Sequence, residues 1–266
     1  MASMARGLAC VTGCTSGIGL SFAKALAQDG HDLLIAGRNG QALIEVAASI
    51  SEATGRRVET MSGDLGIEAD LEALGERLWK RGDLAILVNN AGIGRIAPFE
   101  AIDQREIRET VAVNVTAVAA LAHAALPALK ANAATLINVA SGVAFAAMAG
   151  AAVYGGTKAF VAQFTRALAV ELESSGCRVQ ALIPGLTRTN LGGAAANGFF
   201  DQFPPEWVME PDDLVRASLA ALDRGEVVCA PGVQHPELID RAIEAMQAFG
   251  MGVSSNQVAA RYRAAV

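Results

Sequence analysis

Short β-branched runs alternate with longer amphipathic ones along the chain. The pattern predicts strands over Leu8 to Thr12, Asp32 to Ala36, Arg57 to Ser62, Leu84 to Asn89, Ala134 to Ala140, Arg178 to Ile183 and Glu226 to Cys229. Between them it predicts helices over Ile18 to Gln28, Gln41 to Ala53, Ile67 to Lys80, Ile107 to Leu129, Gly155 to Glu173 and Asp212 to Leu222. This is the rhythm of an α/β protein whose parallel sheet is covered by helices on both faces. Right-handed crossovers then gather the strand carboxyl ends along one edge, where ligands bind in such sheets. No linker rich in Pro, Gly and Ser divides the chain and no fixed-period repeat is evident, so a single domain over 1–266 is expected. One stretch breaks the rhythm. A glycine- and alanine-rich run from Gly192 leads into Phe199, Phe200, Phe203, Pro204, Pro205, Trp207 and Met209. It reads either as a surface excursion packed on the core or, because it follows a strand end, as a flap at 190–210 over an apolar substrate. The tail after Val253 suggests no role.

Composition narrows the partners. The formal charge of the 266-residue chain is -6, its pI is near 5.2, and its basic residues are scattered, which argues against nucleic acid. A hydrophobic content of 52% and a mean hydropathy of +0.34 point instead to buried helix faces and self-association. Ala117 to Leu129 is strongly apolar but contains His123 and Pro127, and as a segment it is too short for a bilayer, so no membrane partner is expected. The start runs into a strand without a secretory apolar region, which makes the cytoplasm the expected compartment. Cys10, Cys14, Cys177 and Cys229, with His31, His123 and His235, form neither a disulfide framework nor a metal-ligand pattern.

The first strand-to-helix crossing carries Thr12-Gly13-Cys14-Thr15-Ser16-Gly17-Ile18-Gly19. Gly13 can make a sharp turn, Gly17 lets backbone approach a pyrophosphate, and Gly19 permits tight packing of helix on strand. Thr15, Ser16 and Ile18 line the same turn, and the helix amino end supplies amide donors for phosphate oxygens. A glycine cluster alone is weak; its place at the first βα crossing makes it a dinucleotide-site candidate. At the end of the second strand, Gly37 stands where a carboxylate would bind the adenosine ribose hydroxyls of NAD(H), and Arg38 follows. An arginine there can pair with a ribose 2′-phosphate, which favours NADP(H), with NAD(H) possible; the plainer alternative is a solvated residue at a helix start. Asp64, beside Leu65, is placed either to accept from an adenine amino group or to cap the next helix. Asn90-Ala91-Gly92 offers small side chains and an amide beside a cofactor, or simply a turn.

Tyr154 and Lys158 stand four residues apart, so a helix puts phenol and ammonium on one face. The cation is expected to draw the phenol from near pH ~10 toward the working pH, where it exchanges protons with a substrate oxygen. Ser141 follows a strand and can donate to the same oxygen. Lys158 can also reach nicotinamide-ribose hydroxyls. Asn114 lies within the long helix, either ordering a water that connects Lys158 to solvent or interrupting the helix locally. Hydride chemistry on a carbonyl or alcohol is the reaction these groups imply.

With those residues in hand, the chain resembles the short-chain dehydrogenase/reductase family over Gly7 to Gly232. Thr12, Gly13, Gly17 and Gly19 match its glycine motif, Asn89, Asn90, Ala91 and Gly92 its Asn-Asn-Ala-Gly, and Asn114, Ser141, Tyr154 and Lys158 its catalytic set. Pro184 and Gly185 match its Pro-Gly, and with Thr187 and Thr189 they fall where the family holds the nicotinamide side of its cofactor. The resemblance implies a Rossmann fold with a seven-stranded parallel sheet and a homodimer or homotetramer built on the helices of Asn114 and Tyr154. It also implies that cofactor binds first and that the pro-S hydride moves. Gly155-Gly156-Thr157 departs from the usual alanine and serine: Thr157 keeps a hydroxyl near the nicotinamide ribose, while each glycine loosens the helix by about 1 kcal/mol. Around the expected pocket, Phe145, Met148, Leu186, Phe199, Phe200, Trp207 and Met209 favour a mainly apolar carbonyl or alcohol over a charged one. The competing readings are an NAD-dependent secondary-alcohol dehydrogenase and a dinucleotide-binding scaffold without catalysis.

Overall fold

The computed structural model describes residues 6–189 and 198–263. Seven strands form one wholly parallel sheet: β1 (Leu8–Thr12), β2 (Asp32–Gly37), β3 (Val58–Ser62), β4 (Leu84–Asn89), β5 (Thr135–Val139), β6 (Arg178–Leu182) and β7 (Val228–Cys229). Their order is β3-β2-β1-β4-β5-β6-β7. The chain therefore winds outward one way from β1, returns, and continues the other way from β4. That reversal opens a crevice beyond the carboxyl ends of β1 and β4.

The period-2 side-chain alternation of buried strands divides the core into two layers. Ala9, Val11, Leu33 and Ile35 face one layer, where they meet Phe22 and Leu26 of α1 (Gly17–Gln28), Leu43 of α2 (Gly40–Thr54) and Leu214 of α7 (Pro211–Asp223). Leu8, Cys10, Leu34 and Ala36 face the other, against Leu74 of α3 (Glu68–Trp79), Leu121 of α5 (Ala117–Asn132) and Leu168 of α6 (Ala152–Leu172). Local chemistry sets the helix ends. Asn39 caps α2 by accepting from the Ala42 amide, and Gly55 closes that helix in the left-handed region at φ 68°. Asp103 and Glu106 make a reciprocal capping box at α4 (Gln104–Val111).

Helices α4 and α5 are joined by a π-helical stretch, Ala112–Thr116, with Asn114 inside it. The local interruption expected at Asn114 is therefore present. The expectation of an apolar segment too short for a bilayer needs correction, because the joined helix Gln104–Asn132 runs 29 residues and is long and apolar enough by length and composition. Its hydropathy has a local use: Ala117, Val118, Leu121, Ala122, Ala125, Ala128 and Leu129 are buried in the core.

By its internal contacts the chain divides into two compact units, Met1–Pro231 and Gly232–Val266. The second contains α8 (Pro236–Gly252), which lies outside the elements predicted from the pattern and buries none of its residues.

Candidate active site

The glycine turn leaves β1 and enters α1. Gly13 adopts φ +71°, and a β-carbon there would stand 2.9 Å from both the Ala91 Cα and the Asn90 side-chain nitrogen. A β-carbon on Gly19 would collide with the Gly13 carbonyl oxygen, so α1 starts directly against the strand end. Ser16 occupies the α1 cap position without a side-chain cap bond, and no acid stands in the first helical turn. The helix start thus keeps its positive character toward the crevice. Thr189 packs against Gly17.

Asn90 has its amide committed to the fold. Its Nδ2 donates to the Thr12 carbonyl at 2.8 Å and the Gly13 carbonyl at 3.2 Å. The Thr12 hydroxyl accepts from the Asn90 and Ala91 amides, each at 3.0 Å, which fastens the ends of β1 and β4 together. The Asn90 amide therefore serves the turn, and Thr12, matched above only as part of the glycine motif, is the residue that fastens it. Its signal was a hydroxyl at the last position of an otherwise apolar buried strand.

Asp64 accepts from the Gly66 amide at 2.9 Å and so holds the turn before α3, whose cap position is Ile67 rather than Asp64. Leu65 packs against the core layer beneath α3 and α5. Arg38 is exposed beyond β2, its carbonyl accepts from Ser62 Oγ at 3.2 Å, and no carboxylate ion-pairs with its guanidinium among the described residues. Gly37 packs beside Thr15 and Leu43. The carboxylate-free end of β2 with a solvated cation next to it fits a phosphorylated adenosine ribose.

The candidate chemical groups meet at the ends of β4 and β5 and the start of α6. Ser141, just past β5, also accepts from the Val143 amide at 3.5 Å. Tyr154 hydrogen bonds with Ser141, which favours the phenolate, but burial is the larger influence and holds the phenol above its ordinary value of 10.0. The expected lowering by Lys158 is thus corrected: the ammonium is itself buried, donates to the Val139 carbonyl at 2.8 Å, and lies 5.8 Å from the Tyr154 ring centre. Burial lowers the Lys158 pKa from 10.5 to about 8. In this arrangement the phenol keeps its proton, the state in which it serves as an acid.

Asn114 is buried, and both hydrogens of its side-chain amide are used within the protein. Nδ2 donates to the Ile93 carbonyl at 2.7 Å and to Thr157 Oγ1 at 3.0 Å, while Oδ1 accepts from the Ile93 amide at 2.9 Å. Both amide hydrogens are spent on protein, so the side chain brackets the loop after β4 rather than donating to a water. Thr157 is engaged in the same way. Its hydroxyl donates to the Tyr154 carbonyl at 2.8 Å and accepts from Asn114, so its proton and an oxygen lone pair are used within the protein. Gly92 backs onto Lys158 Nζ and Asn114 Oδ1. Gly94 was not anticipated: a β-carbon there would lie 2.8 Å from Tyr154 Cε2, so the phenol ring rests on bare backbone.

Pro184 and Gly185 follow β6, and the Pro184 carbonyl accepts from the Gly142 amide at 2.8 Å. Thr187 is buried, bridges to Met209, and donates to the Gly185 carbonyl at 3.3 Å. The Met209 amide donates to the Leu186 carbonyl at 2.9 Å, completing the zipper between the two segments. Of the expected flap, residues 190–197 lie outside the described residues. The remainder forms two 3₁₀ turns, Phe200–Gln202 and Pro205–Trp207. Phe199 packs edge-on against Phe200 and Phe203, and Arg188 lies over the Phe200 ring. Phe145, Met148, Phe199 and Trp207 are all exposed.

Comparison with known proteins agrees with this geometry. A short chain dehydrogenase profile matches residues 7–197. An uncharacterized oxidoreductase from Myxococcus xanthus is 32% identical over 228 residues, covering 85% of this chain and 87% of its own. A short-chain dehydrogenase from Sphingobium yanoikuyae, solved in complex with NADPH, superposes with a TM-score of 0.90 at 35% identity, over 96% of this chain and all of its own. The bulky-bulky ketone specific alcohol dehydrogenase of Comamonas testosteroni gives a TM-score of 0.87 at 31% identity, over 96% of this chain and 98% of its own. With its glycine turn, its parallel sheet and its matching relatives, this chain belongs to the short-chain dehydrogenase/reductase family and is an oxidoreductase of that family.

Proposed function

We propose that the protein reduces a bulky, mainly apolar ketone with NADPH, and that the same site catalyses the reverse oxidation. The observation that carries this reading is the convergence of Ser141, Tyr154 and Lys158 at the strand edge beside the glycine turn. Bound in the crevice, reduced nicotinamide supplies the hydride. The Ser141 hydroxyl donates a hydrogen bond to the substrate oxygen, and the protonated Tyr154 delivers its proton to that oxygen as charge develops. Lys158 holds a positive charge behind the phenol and stabilises the phenolate left by that transfer. Exposed Phe145, Met148 and Trp207 offer apolar surface to the substrate. The similarity to the Comamonas alcohol dehydrogenase, an enzyme specific for bulky-bulky ketones, supports the same class.

For the cofactor, Arg38 meets the 2′-phosphate, supported by the missing acid at Gly37 and by the NADPH in the Sphingobium relative. Self-association runs through α4, α5 and α6, where Val111, Phe160 and Val170 are exposed. The test is oxidation of NADPH and NADH in the presence of uncharged bulky ketones and anionic ketones, with wild type and Arg38→Ala. A charge-assisted contact at an exposed site predicts that Arg38→Ala cuts the preference for NADPH about tenfold. Turnover of anionic substrates alone, or an unchanged cofactor preference, would refute the respective half.

A further inference from the structure

Between Tyr154 and Lys158 the chain places Gly155 and Gly156, inside the first turns of α6. Each costs a helix about 1 kcal/mol relative to alanine. The same helix begins without a side-chain cap, because Ala151 occupies the cap position, and a missing cap costs about 1 kcal/mol more. By sequence, the turn that presents the phenol is the least self-supporting part of α6.

Thr157 sits against this weakness. It is buried, and its hydroxyl has a single proton, which it gives to the Tyr154 carbonyl at 2.8 Å. The oxygen accepts from Asn114 Nδ2 at 3.0 Å, and Asn114 is bracketed in turn to both backbone groups of Ile93. A continuous set of hydrogen bonds therefore runs from the loop after β4, through the π-helical stretch, to the backbone of the tyrosine. We infer that Thr157 is a positioning residue for Tyr154: its hydroxyl ties the tyrosine carbonyl to the Asn114 bracket and replaces the stiffness that Gly155 and Gly156 withhold. The kinetic consequence rests on the proposed role of Tyr154 as proton donor. Proton transfer requires hydrogen-bond reach, and a displacement of about 1 Å can cost about 100-fold in rate.

The glycines also provide a compensating change. A β-carbon on Gly156 meets nothing within 4 Å, so Gly156→Ala stiffens the helix without a clash. The protein has two tyrosines, Tyr154 and the exposed Tyr262. In a Tyr262→Phe background, phenolate absorbance therefore reports Tyr154 alone. In that background we would compare the parent, Thr157→Val, Thr157→Ser and Thr157→Val with Gly156→Ala. Thermal midpoint, alkaline tyrosine titration without ligand, NADPH affinity, and kcat and KM for ketone reduction would be measured for each.

Thr157→Val is expected to lower kcat about tenfold or more with KM and NADPH affinity within about twofold, as a loss of positioning without a loss of binding requires. Its tyrosine should titrate at lower pH, as the phenol leaves its buried seat. Thr157→Ser should restore both properties, and Gly156→Ala should return part of the lost kcat. Parental kcat and titration in Thr157→Val, failure of Thr157→Ser to restore them, or no recovery from Gly156→Ala would overturn the inference. Should Thr157→Val not fold, Thr157→Ala, alone and with Gly156→Ala, takes its place under the same criteria. The ligand-free titration separates this test from the functional reading: parental turnover in Tyr154→Phe would remove the acid, while the titration would still decide whether Thr157 positions the ring.

Discussion

Replacing Lys158 with methionine should make the protein's stability depend on pH in a way that isolates one buried ammonium. Lys158 is 5% exposed, and its pKa falls from 10.5 to about 8 because burial penalises its charge. At ~1.4 kcal/mol per tenfold, that gap corresponds to a penalty on the order of 3 kcal/mol at pH 7, where both folded and unfolded chains carry the proton. The sign follows from proton counting. Between pH 8 and pH 10.5 the unfolded chain binds more protons at this site than the folded one, so stability rises with pH through that window. Above it the penalty is gone. Lys158→Met removes the charge at every pH and leaves the Val139 carbonyl without its donor, a cost of about 1–3 kcal/mol that does not vary with pH. The stability difference between wild type and variant should therefore move in favour of wild type by about 2 kcal/mol between pH 7 and pH 9.5. Tyr154 does not disturb the measurement, since burial holds its phenol above 10.0. Urea unfolding of both proteins at both pH values, without cofactor, gives the number. A difference that is flat with pH would mean that the ammonium is not desolvated by the fold, and the electrostatic description of the site would fail with it.

Two further substitutions test the site from other sides. Tyr154→Phe should bind NADPH as the parent does while lowering ketone turnover about 100-fold, the scale of general acid transfer; stopped-flow binding and steady-state rates would show it, and parental turnover would dismiss the phenol as donor. Gly94→Ala places a methyl group within 2.8 Å of Tyr154 Cε2, so the ring must move, and kcat should fall about tenfold to 100-fold with unchanged NADPH affinity. A Gly94→Ala enzyme with parental kcat would show that the ring position is not critical.

What the sequence discloses and what it conceals divide along physical lines. The strands were legible because a parallel sheet buried on both faces leaves continuous apolar runs such as Leu8–Thr12, and the glycine turn because its geometry tolerates few other residues. Side-chain commitments were not legible. A sequence places Asn90, Asn114 and Thr157 near a crevice, but whether each polar group faces ligand or protein depends on which backbone groups the fold leaves wanting partners. Here the turn after β1 and the loop after β4 are irregular backbone, and the Asn90 and Asn114 amides are drawn to them, while the Thr157 hydroxyl bonds back to the Tyr154 carbonyl within α6. The direction of the Tyr154 shift was missed for a related reason: spacing reports that a cation is four residues away, but not that both groups are desolvated and that the cation points to the Val139 carbonyl. Helix α8 was missed although Leu238, Ala242, Met246 and Phe249 recur at helical spacing. It lies after β7, where the βαβ rhythm that carries the other assignments has run out. The residues hardest to read were thus those that serve other residues, and a functional site drawn from sequence alone overstates how many of its polar groups are free to touch a ligand.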